Sequence, residues 1–476
     1  MAPSDVVHVI TGTDTHRRSR FKGFKRAFSK FLAVPFLLVV VFLMMGVLLV
    51  VLERSEIGWI ALLRGLLTQL LFDNGDVTSG FLGAAAGGMI TLTSITISML
   101  LLVLQQTASN MGNMVYDQFL TRRRNQIYAG FIVGGAVLAV FVRAMVTEES
   151  SLVLGATFVL LVVILALVGL LWFLYMTINQ MRPSTVVNDI YDKTKDAYRQ
   201  HRRFLRRTRR TPQSEAPVRA VLHARSGGYV TEIDPDAIAD CLRDQGADVE
   251  IVSKVVIGGY VAYRDVMAEV KAPDAEVGRR VAECLGRAFY VEERRQLDDD
   301  PAFGLRQLEM IAWAEVSTAK QNPETGLMVG RALQDLLSRW VLGADEVDVE
   351  GDPVALVYGD KVLRDALDVL ESVAVVSSES LQHQNFAEVL NTLRVLYPRL
   401  PSELQARVDD LLRRAVSAMG DHVLTRDLEQ AVEGLAGVLR EAGSGEAARM
   451  LEGAGKELRA SVGALGSRST RVKAGG

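Results

Sequence analysis

Apolar residues are concentrated in four long runs near the start of the chain. The runs cover Phe31–Leu52, Gly80–Leu104, Ile127–Val146 and Leu152–Ile178, and each reaches the length of about 20 residues that a membrane-spanning helix requires. Later in the chain, apolar and polar positions are mixed at the spacings of water-soluble helices and strands. The pattern predicts a transmembrane domain of four helices over residues 31–178, followed by a water-soluble region.

A shorter apolar run at 57–72, IGWIALLRGLLTQLLF, differs from these four. It is too short to cross the bilayer easily, and it includes Arg64 and Gln69. Its leucines and its tryptophan lie on one side at helical spacing. We therefore predict an amphipathic helix that lies in the outer interface of the membrane, and not a fifth span.

The strongly basic flanks of the spans lie on one side only. They fill HRRSRFKGFKRAFSK before the first span, TRRRNQ between the second and third, and RQHRRFLRRTRRT after the fourth. The two remaining loops contain DNGD and TEESS, which are acidic. Because basic loops stay in the cytoplasm, both termini of this multi-pass chain are predicted to be cytoplasmic.

Residues 1–30 are predicted to form a basic amphipathic segment. Within and just after it, Phe21, Phe24, Phe28 and Phe31 recur three or four residues apart among lysines and arginines. This pattern is typical of helices that rest on an anionic inner leaflet. A disordered basic tail is the alternative.

The second span is unusual because one of its faces is small and polar. Helical spacing brings hydroxyl and amide side chains to that face, where only two leucines interrupt them. The candidate pore-lining residues are Thr91, Ser94, Ser98, Leu101, Leu102 and Gln105. Such a face can line a wet path in which an apolar ring excludes water.

The same face has a second interpretation, which the sequence leaves open. Small residues let helices pack closely, and hydroxyl groups bond across such contacts. The candidate packing residues are Gly83, Gly87 and Gly88. No carboxylate lies within the four apolar runs, and Arg143 lies near the outer end of the third. A proton-coupled transporter is therefore disfavoured.

A basic connecting helix is predicted over 179–215. Its arginine cluster includes Arg202, Arg203, Arg206 and Arg207, and such a cluster near an anionic leaflet predicts lipid binding. No recognised nucleic-acid fold or set of stacking aromatic residues accompanies it. Nucleic acid is therefore not an expected partner.

Residues 216–272 have the alternation and glycine turns of β-strands, and Gly-Gly-Tyr-Val occurs at 227–230 and again at 258–261. This pattern predicts a small β-barrel domain. Residues 273–465 follow helical spacing, and 466–476 are predicted to be a disordered tail. The predicted fold class is membrane α-helical, with four transmembrane helices, plus a cytoplasmic α+β domain in which an all-α region follows the barrel.

Sequence motifs for catalysis are not evident. The six histidines are not paired at ligand spacing, and phosphate-binding, nucleophile-elbow and dinucleotide patterns are missing. We expect no enzyme activity, no metal and no cofactor. The acidic run Asp298–Asp300 fits the start of a helix better than a cation site. Cys241 and Cys284 are expected to be reduced, buried core residues.

Several segments resemble an uncharacterised family of predicted bacterial membrane proteins, catalogued as a domain of unknown function. The resemblance covers roughly residues 30–340 and rests on TSITISMLLLVLQQTASN, FLTRRRNQ, YAGFIVG, SGGYVTEID and DPAFGLRQLEMIA. Where members tend to have Asn-Asp-Pro-x-Thr, this chain has NPET at 322–325. The resemblance implies the four-span topology and a bacterial inner-membrane location, and it implies no established activity.

Two functions of different classes follow. The first is a homo-oligomeric ion channel or pore lined by the second span, with a cytoplasmic regulatory domain; its expected partners are the bilayer, further copies of the chain and ions. GAAAGG followed by LQQTASNMGNM resembles the pore helix of small-conductance mechanosensitive channels, which favours this hypothesis. The alternative is a membrane-anchored scaffold or sensor whose helical cytoplasmic domain binds a protein.

Overall fold

The structure is a computed structural model, and it forms two compact units. One unit comprises residues 14–182, and the other comprises residues 1–13 together with 183–476. The structure describes residues 6–10, 33–55, 57–72, 75–111, 123–146, 152–180, 182–243, 248–317, 323–343, 352–417 and 424–461. The predicted phenylalanine-rich segment before the first span and the predicted tail at 466–476 lie outside the described residues.

The first unit is helical. Four of its helices are long and apolar enough to cross a membrane, as predicted. They are α1 (Ala33–Glu53), α3 (Gly75–Met111), α4 (Arg123–Met145) and α5 (Val153–Gln180). The short apolar run forms a separate helix, α2 (Gly58–Leu70). Its location in the membrane interface stays a prediction.

Helices α1 and α4 make the closest approach in this unit. A side-chain carbon at Gly130 would lie 2.7 Å from the backbone Cα of Pro35, and one at Gly134 would collide with the ring of Phe42. Because glycine has no side chain, the two backbones can approach closely. Small residues spaced four apart have the same effect in other membrane helices. The pair Gly130 and Gly134 therefore builds the helix contact inside the protomer.

Glu53 ties the ends of three helices together. This last residue of α1 is buried, and its carboxylate accepts hydrogen bonds from the backbone N–H groups of Val153 (3.1 Å) and Leu154 (2.9 Å) at the start of α5. Arg64 of α2 donates to the Glu53 carbonyl oxygen at 2.6 Å. The negative charge thus sits at the positive end of the α5 dipole and satisfies two of its free N–H groups.

The second unit contains two β-sheets. One has the order β1-β2-β6-β4-β8 and the other the order β5-β3-β7. Strands β1 and β8 run parallel to their neighbours, and the remaining pairs are antiparallel. The strands are β1 (Val7–Ile10), β2 (Val218–His223), β3 (Gly228–Ile233), β4 (Glu250–Ser253), β5 (Tyr260–Val261), β6 (Val266–Lys271), β7 (Phe289–Glu292) and β8 (Leu356–Val357).

Neither sheet closes into a barrel within the described residues, so the small β-barrel is not confirmed. Strands β1, β7 and β8 come from outside the predicted β-region at 216–272. They are short and join the sheets through partners far away in sequence, which alternation cannot reveal. The two Gly-Gly-Tyr-Val segments pair with each other in the antiparallel pair β3–β5, where Tyr229 lies opposite Tyr260.

Helices cover most of the remaining chain, as predicted. The helices are α6 (Pro183–Arg206), α7 (Pro235–Leu242), α8 (Ala275–Leu285), α9 (Pro301–Val316), α10 (Pro323–Leu342), α11 (Val362–Glu379), α12 (His383–Leu396), α13 (Ser402–Ser417), α14 (Arg426–Glu441) and α15 (Gly445–Ser461). Two of the strands, β7 and β8, interrupt the region that was predicted to be all-α.

Candidate functional site

The second span, α3, has one side turned into the protomer and one side turned out. Leu82 and Met89 are completely or almost completely buried against α4 and α5. The predicted polar stripe lies on the opposite side, where Thr91, Ser94 and Ser98 are exposed. The stripe is therefore on the exterior of a single protomer. A path lined by it would lie between protomers and not through one.

The hydroxyl groups of the stripe donate within their own helix. Thr91 Oγ1 donates to the carbonyl oxygen of Gly87 at 3.0 Å, and Ser94 Oγ donates to that of Ile90 at 3.2 Å. Such bonds to the preceding turn satisfy the donors without help from a neighbour. The oxygen lone pairs remain directed outward, where a partner helix or water can use them.

Leu101, Leu102 and Gln105 extend the outward face toward the end of α3. Leu101 is 54% exposed and Leu102 is 57% exposed, and Gln105 is exposed as well. The structure thus places all six candidate pore-lining residues on the exterior of the protomer. Elsewhere on the bundle the exposed residues include large apolar ones such as Phe36 and Leu171, which suit contact with lipid.

The three candidate packing glycines do not share one environment. A side-chain carbon at Gly83 would lie 3.1 Å from the guanidinium of Arg143, so this glycine makes room for that arginine. At Gly87 and Gly88, a side-chain carbon would meet no described atom within 4 Å. Tight packing inside the protomer relies on other glycines, among them Gly130 and Gly134. The spacing GFIVG at 130–134 was the available signal for them.

The arginine cluster after the spans is only partly open to a ligand. Arg203 and Arg206 are exposed on α6, and Arg202 is partly exposed. Arg207, also predicted to bind lipid, forms an ion pair with Asp236 at 2.6 Å, and its side chain is only 12% exposed. The exposed arginines are therefore the better candidates for contact with lipid headgroups.

The acidic run at 298–300 begins a helix, as predicted. Asp300 caps α9 by accepting the Phe303 N–H at 3.0 Å, and Arg295 holds both of its carboxylate oxygens at 2.8 and 3.0 Å. Gly258 has a φ of +83° and lies directly against this carboxylate. Burial, and then the charges of Asp298 and Asp300, raise the pKa of Asp299. The DP-x-FG segment therefore has a structural role.

A pair between a buried histidine and a more exposed aspartate joins α6 to the segment before α11. His201 Nε2 lies 3.0 Å from Asp360 Oδ1. Burial alone would raise the pKa of Asp360, but the hydrogen bond and charge of His201, together with the Val362 and Lys361 amides, hold it below its ordinary value. Groups of three or more metal-ligating side chains do not occur in the part of the chain that the structure describes.

The prediction of two reduced core cysteines is wrong in the structure. Cys241 of α7 and Cys284 of α8 form a disulfide, with their Cα atoms 5.7 Å apart. The two helices pack beside each other although 43 residues separate the cysteines. Only this packing brings the two sulfur atoms within bonding distance, and sequence spacing could not show it.

Comparisons with known proteins bear on the family alone. Searches of curated proteins and of solved structures find no match. A family profile described as "Predicted membrane protein (DUF2254)" matches residues 29–369, which includes the four candidate spans and all of the segments that carry the resemblance. The chain therefore belongs to the DUF2254 family of predicted membrane proteins, whose function is unknown.

Proposed function

We propose that this protein is a homo-oligomeric membrane channel in which copies of α3 surround a central path. The observation that carries the proposal is the outward face of α3, where Gly87, Thr91, Ser94 and Ser98 are all exposed in the protomer. Lipid chains offer no hydrogen-bond partner to hydroxyl oxygens, and small side chains leave grooves that lipid fills poorly. A second copy or water suits this face better.

The leucines of the same face supply a gate. Leu101 and Leu102 are exposed beside the polar stripe, so several copies around an axis would bring them together as a narrow apolar ring. Such a ring excludes water and holds a closed path dry. The hydroxyl lone pairs on the rest of the face would contact the water that accompanies an ion. This arrangement suits passive flow, with the second unit as a regulatory domain.

Topology supports an even number of crossings. Strand β1 precedes the first span, strand β2 follows the last, and the two pair in one sheet. The chain between them must therefore return to the side that it left, which four spans allow and a fifth at α2 would not. Combined with the one-sided basic flanks, this favours cytoplasmic termini in a bacterial inner membrane, with Arg203 and Arg206 near anionic headgroups.

The cysteine pair provides a test of this orientation. Cytoplasmic thiols are kept reduced, so a disulfide persists there only transiently. With the second unit in the cytoplasm, the Cys241–Cys284 disulfide should be reduced to two thiols in growing cells that are quenched in acid, as seen by a gel shift with a maleimide polymer. A disulfide in nearly all quenched molecules would contradict a cytoplasmic second unit.

Ion flux tests the channel itself. Leu101→Ser and Leu102→Ser should increase flux through liposomes that contain the full-length protein, because a polar ring wets more easily. Leu171→Ser, on the exposed side of α5, is the matched control and should leave flux unchanged. Gly87→Leu should reduce the oligomer in native mass spectrometry.

Labelling provides the second measurement. Cysteines at Ser94 and Ser98, in a Cys241→Ser and Cys284→Ser background, should react with water-soluble thiol reagents in the assembled oligomer. If these positions resist the reagents and neither leucine substitution alters flux, the face is a dry packing seam. The protein would then be the membrane-anchored scaffold or sensor of the alternative hypothesis.

A further inference from the structure

Two histidines that are remote in sequence meet on the outer side of the larger sheet. His8 lies on β1 and His223 is the last residue of β2. The Nδ1 atom of His8 is 2.8 Å from the Nε2 atom of His223, and the ring centroids are 5.1 Å apart. Val7 and Val9 of β1 pack toward the core, which leaves His8 exposed. Solvent and small ions can therefore reach this pair.

The backbone fixes which nitrogen of His223 carries the proton. His223 Nδ1 is 2.8 Å from the carbonyl oxygen of Arg264, and a carbonyl oxygen can only accept. In the neutral ring, Nδ1 therefore holds the hydrogen and Nε2 presents a lone pair toward His8. A hydrogen bond from the second ring nitrogen to a backbone carbonyl is the usual environment of a metal-bound histidine.

We propose that His8 and His223 form a binding site for a divalent transition-metal ion that fastens β1 to β2. Neutral imidazole nitrogen suits Zn²⁺, Ni²⁺ or Cu²⁺ and suits Mg²⁺ or Ca²⁺ poorly. On binding, the proton at Nδ1 of His8 moves to its Nε2, so that both facing nitrogens offer lone pairs. Water completes the coordination.

The geometry requires a small adjustment. Two nitrogen ligands of a tetrahedral Zn²⁺ lie about 3.4 Å apart, because each is about 2.0–2.1 Å from the metal. The two facing nitrogens must therefore separate by roughly 0.6 Å from their present 2.8 Å. Rotation of the exposed His8 ring provides this. Glu269, on the next strand, is already paired with Lys254 at 2.9 Å.

The ion would control the attachment of the N-terminal strand. β1 is a four-residue edge strand that, among the described residues, pairs with β2 and packs Val7 and Val9 against the core. A ligand that binds only the paired state stabilises that state in proportion to its concentration and affinity. Attachment of the segment that leads into the first span would thus respond to the metal. This inference does not depend on the channel proposal.

Zinc binding tests the site directly. The full-length protein, purified in detergent with a tag free of histidine and stripped with a chelator, would be titrated with Zn²⁺ by calorimetry. Wild type should bind one more Zn²⁺ per chain than His8→Gln or His223→Gln. Each substitution should lower the zinc affinity of this site at least about tenfold. Loss of a residue that only hydrogen-bonds to a metal ligand already lowers metal affinity about 10- to 100-fold.

Hydrogen exchange tests the fastening. Zn²⁺ should slow amide exchange in residues 7–10 of the wild type and should have no such effect in either variant. His383→Gln is the matched control, because His383 is partly exposed on α12, remote from β1 in the sequence; it should behave as wild type. Equal zinc stoichiometry and affinity in wild type and His8→Gln would overturn the site. Zinc binding without slower exchange in β1 would overturn its fastening role.

Discussion

The second and third spans carry the same glycine motif in two different environments. GAAAG at 83–87 and GFIVG at 130–134 both repeat glycine after four residues. In α4 the two glycines lie against Pro35 and Phe42 of α1, whereas a side chain at Gly87 of α3 would enter open space. The motif in α4 therefore packs inside the protomer, whereas in the motif of α3 Gly83 meets Arg143 and only Gly87 remains available for contact outside.

The difference teaches that a small-xxx-small motif reports close contact but not the identity of the partner. Inside the protomer, the glycines of α4 face the bulky α1, which fills the space they leave. On α3 the neighbouring positions Ala84, Gly87 and Gly88 form an exposed groove. Substitutions in the two motifs should therefore affect different levels of assembly.

Gly134→Leu should have the largest effect. The new side chain would occupy the position of the Phe42 ring, and overpacking of this kind costs about 3 kcal/mol. Denaturant unfolding in detergent micelles measures the loss. Gly87→Leu makes the same chemical change at an open position and is the control. Equal destabilisation by both substitutions would remove the distinction between the two motifs.

Glu53→Gln should have an intermediate effect. It removes the charge that accepts the Val153 and Leu154 N–H groups at the start of α5. Charge–dipole interactions in partly buried positions contribute about 1–2 kcal/mol. The same unfolding assay checks this. Asp76→Asn, at the exposed first turn of α3, should cost less; a larger loss there would contradict the importance of burial.

Gly87→Leu should leave the protomer nearly unchanged and disrupt the oligomer. The first side-chain carbon would meet no described atom within 4 Å, and replacing an exposed helical glycine changes helix stability by about 1 kcal/mol or less. Native mass spectrometry would show the shift toward smaller species. An intact oligomer would indicate that copies meet through another face.

Ser94→Ala should have the smallest effect on folding. The hydroxyl bonds only the Ile90 carbonyl of its own helix, and exposed substitutions of this kind stay within about 0.5 kcal/mol. Thermal unfolding should therefore be unchanged while ion flux falls, if the hydroxyl faces water. A large loss of stability would indicate that Ser94 is already buried between copies.

The sequence predicted the membrane region well and the β-region poorly. A membrane span is recognised by the number of consecutive apolar residues, which is a local property of the sequence. All four candidate spans could therefore be predicted. Strand β1 contains only four residues, and its pairing with β2 crosses the entire transmembrane region. The polar stripe was also visible in the sequence, but the sequence did not show that a side chain at Gly87 would enter open space among the described residues.

The sequence by itself determined the family, the four apolar spans, the short extra helix and the helix start at Asp300. These features arise from residues that are neighbours along the chain. Only the tertiary structure decided which side of α3 faces outward, that Glu53 caps α5, that the two cysteines join and that His8 meets His223. Each of these depends on chain segments separated by tens to hundreds of residues, whose contact is set by packing of the whole unit and leaves no local pattern.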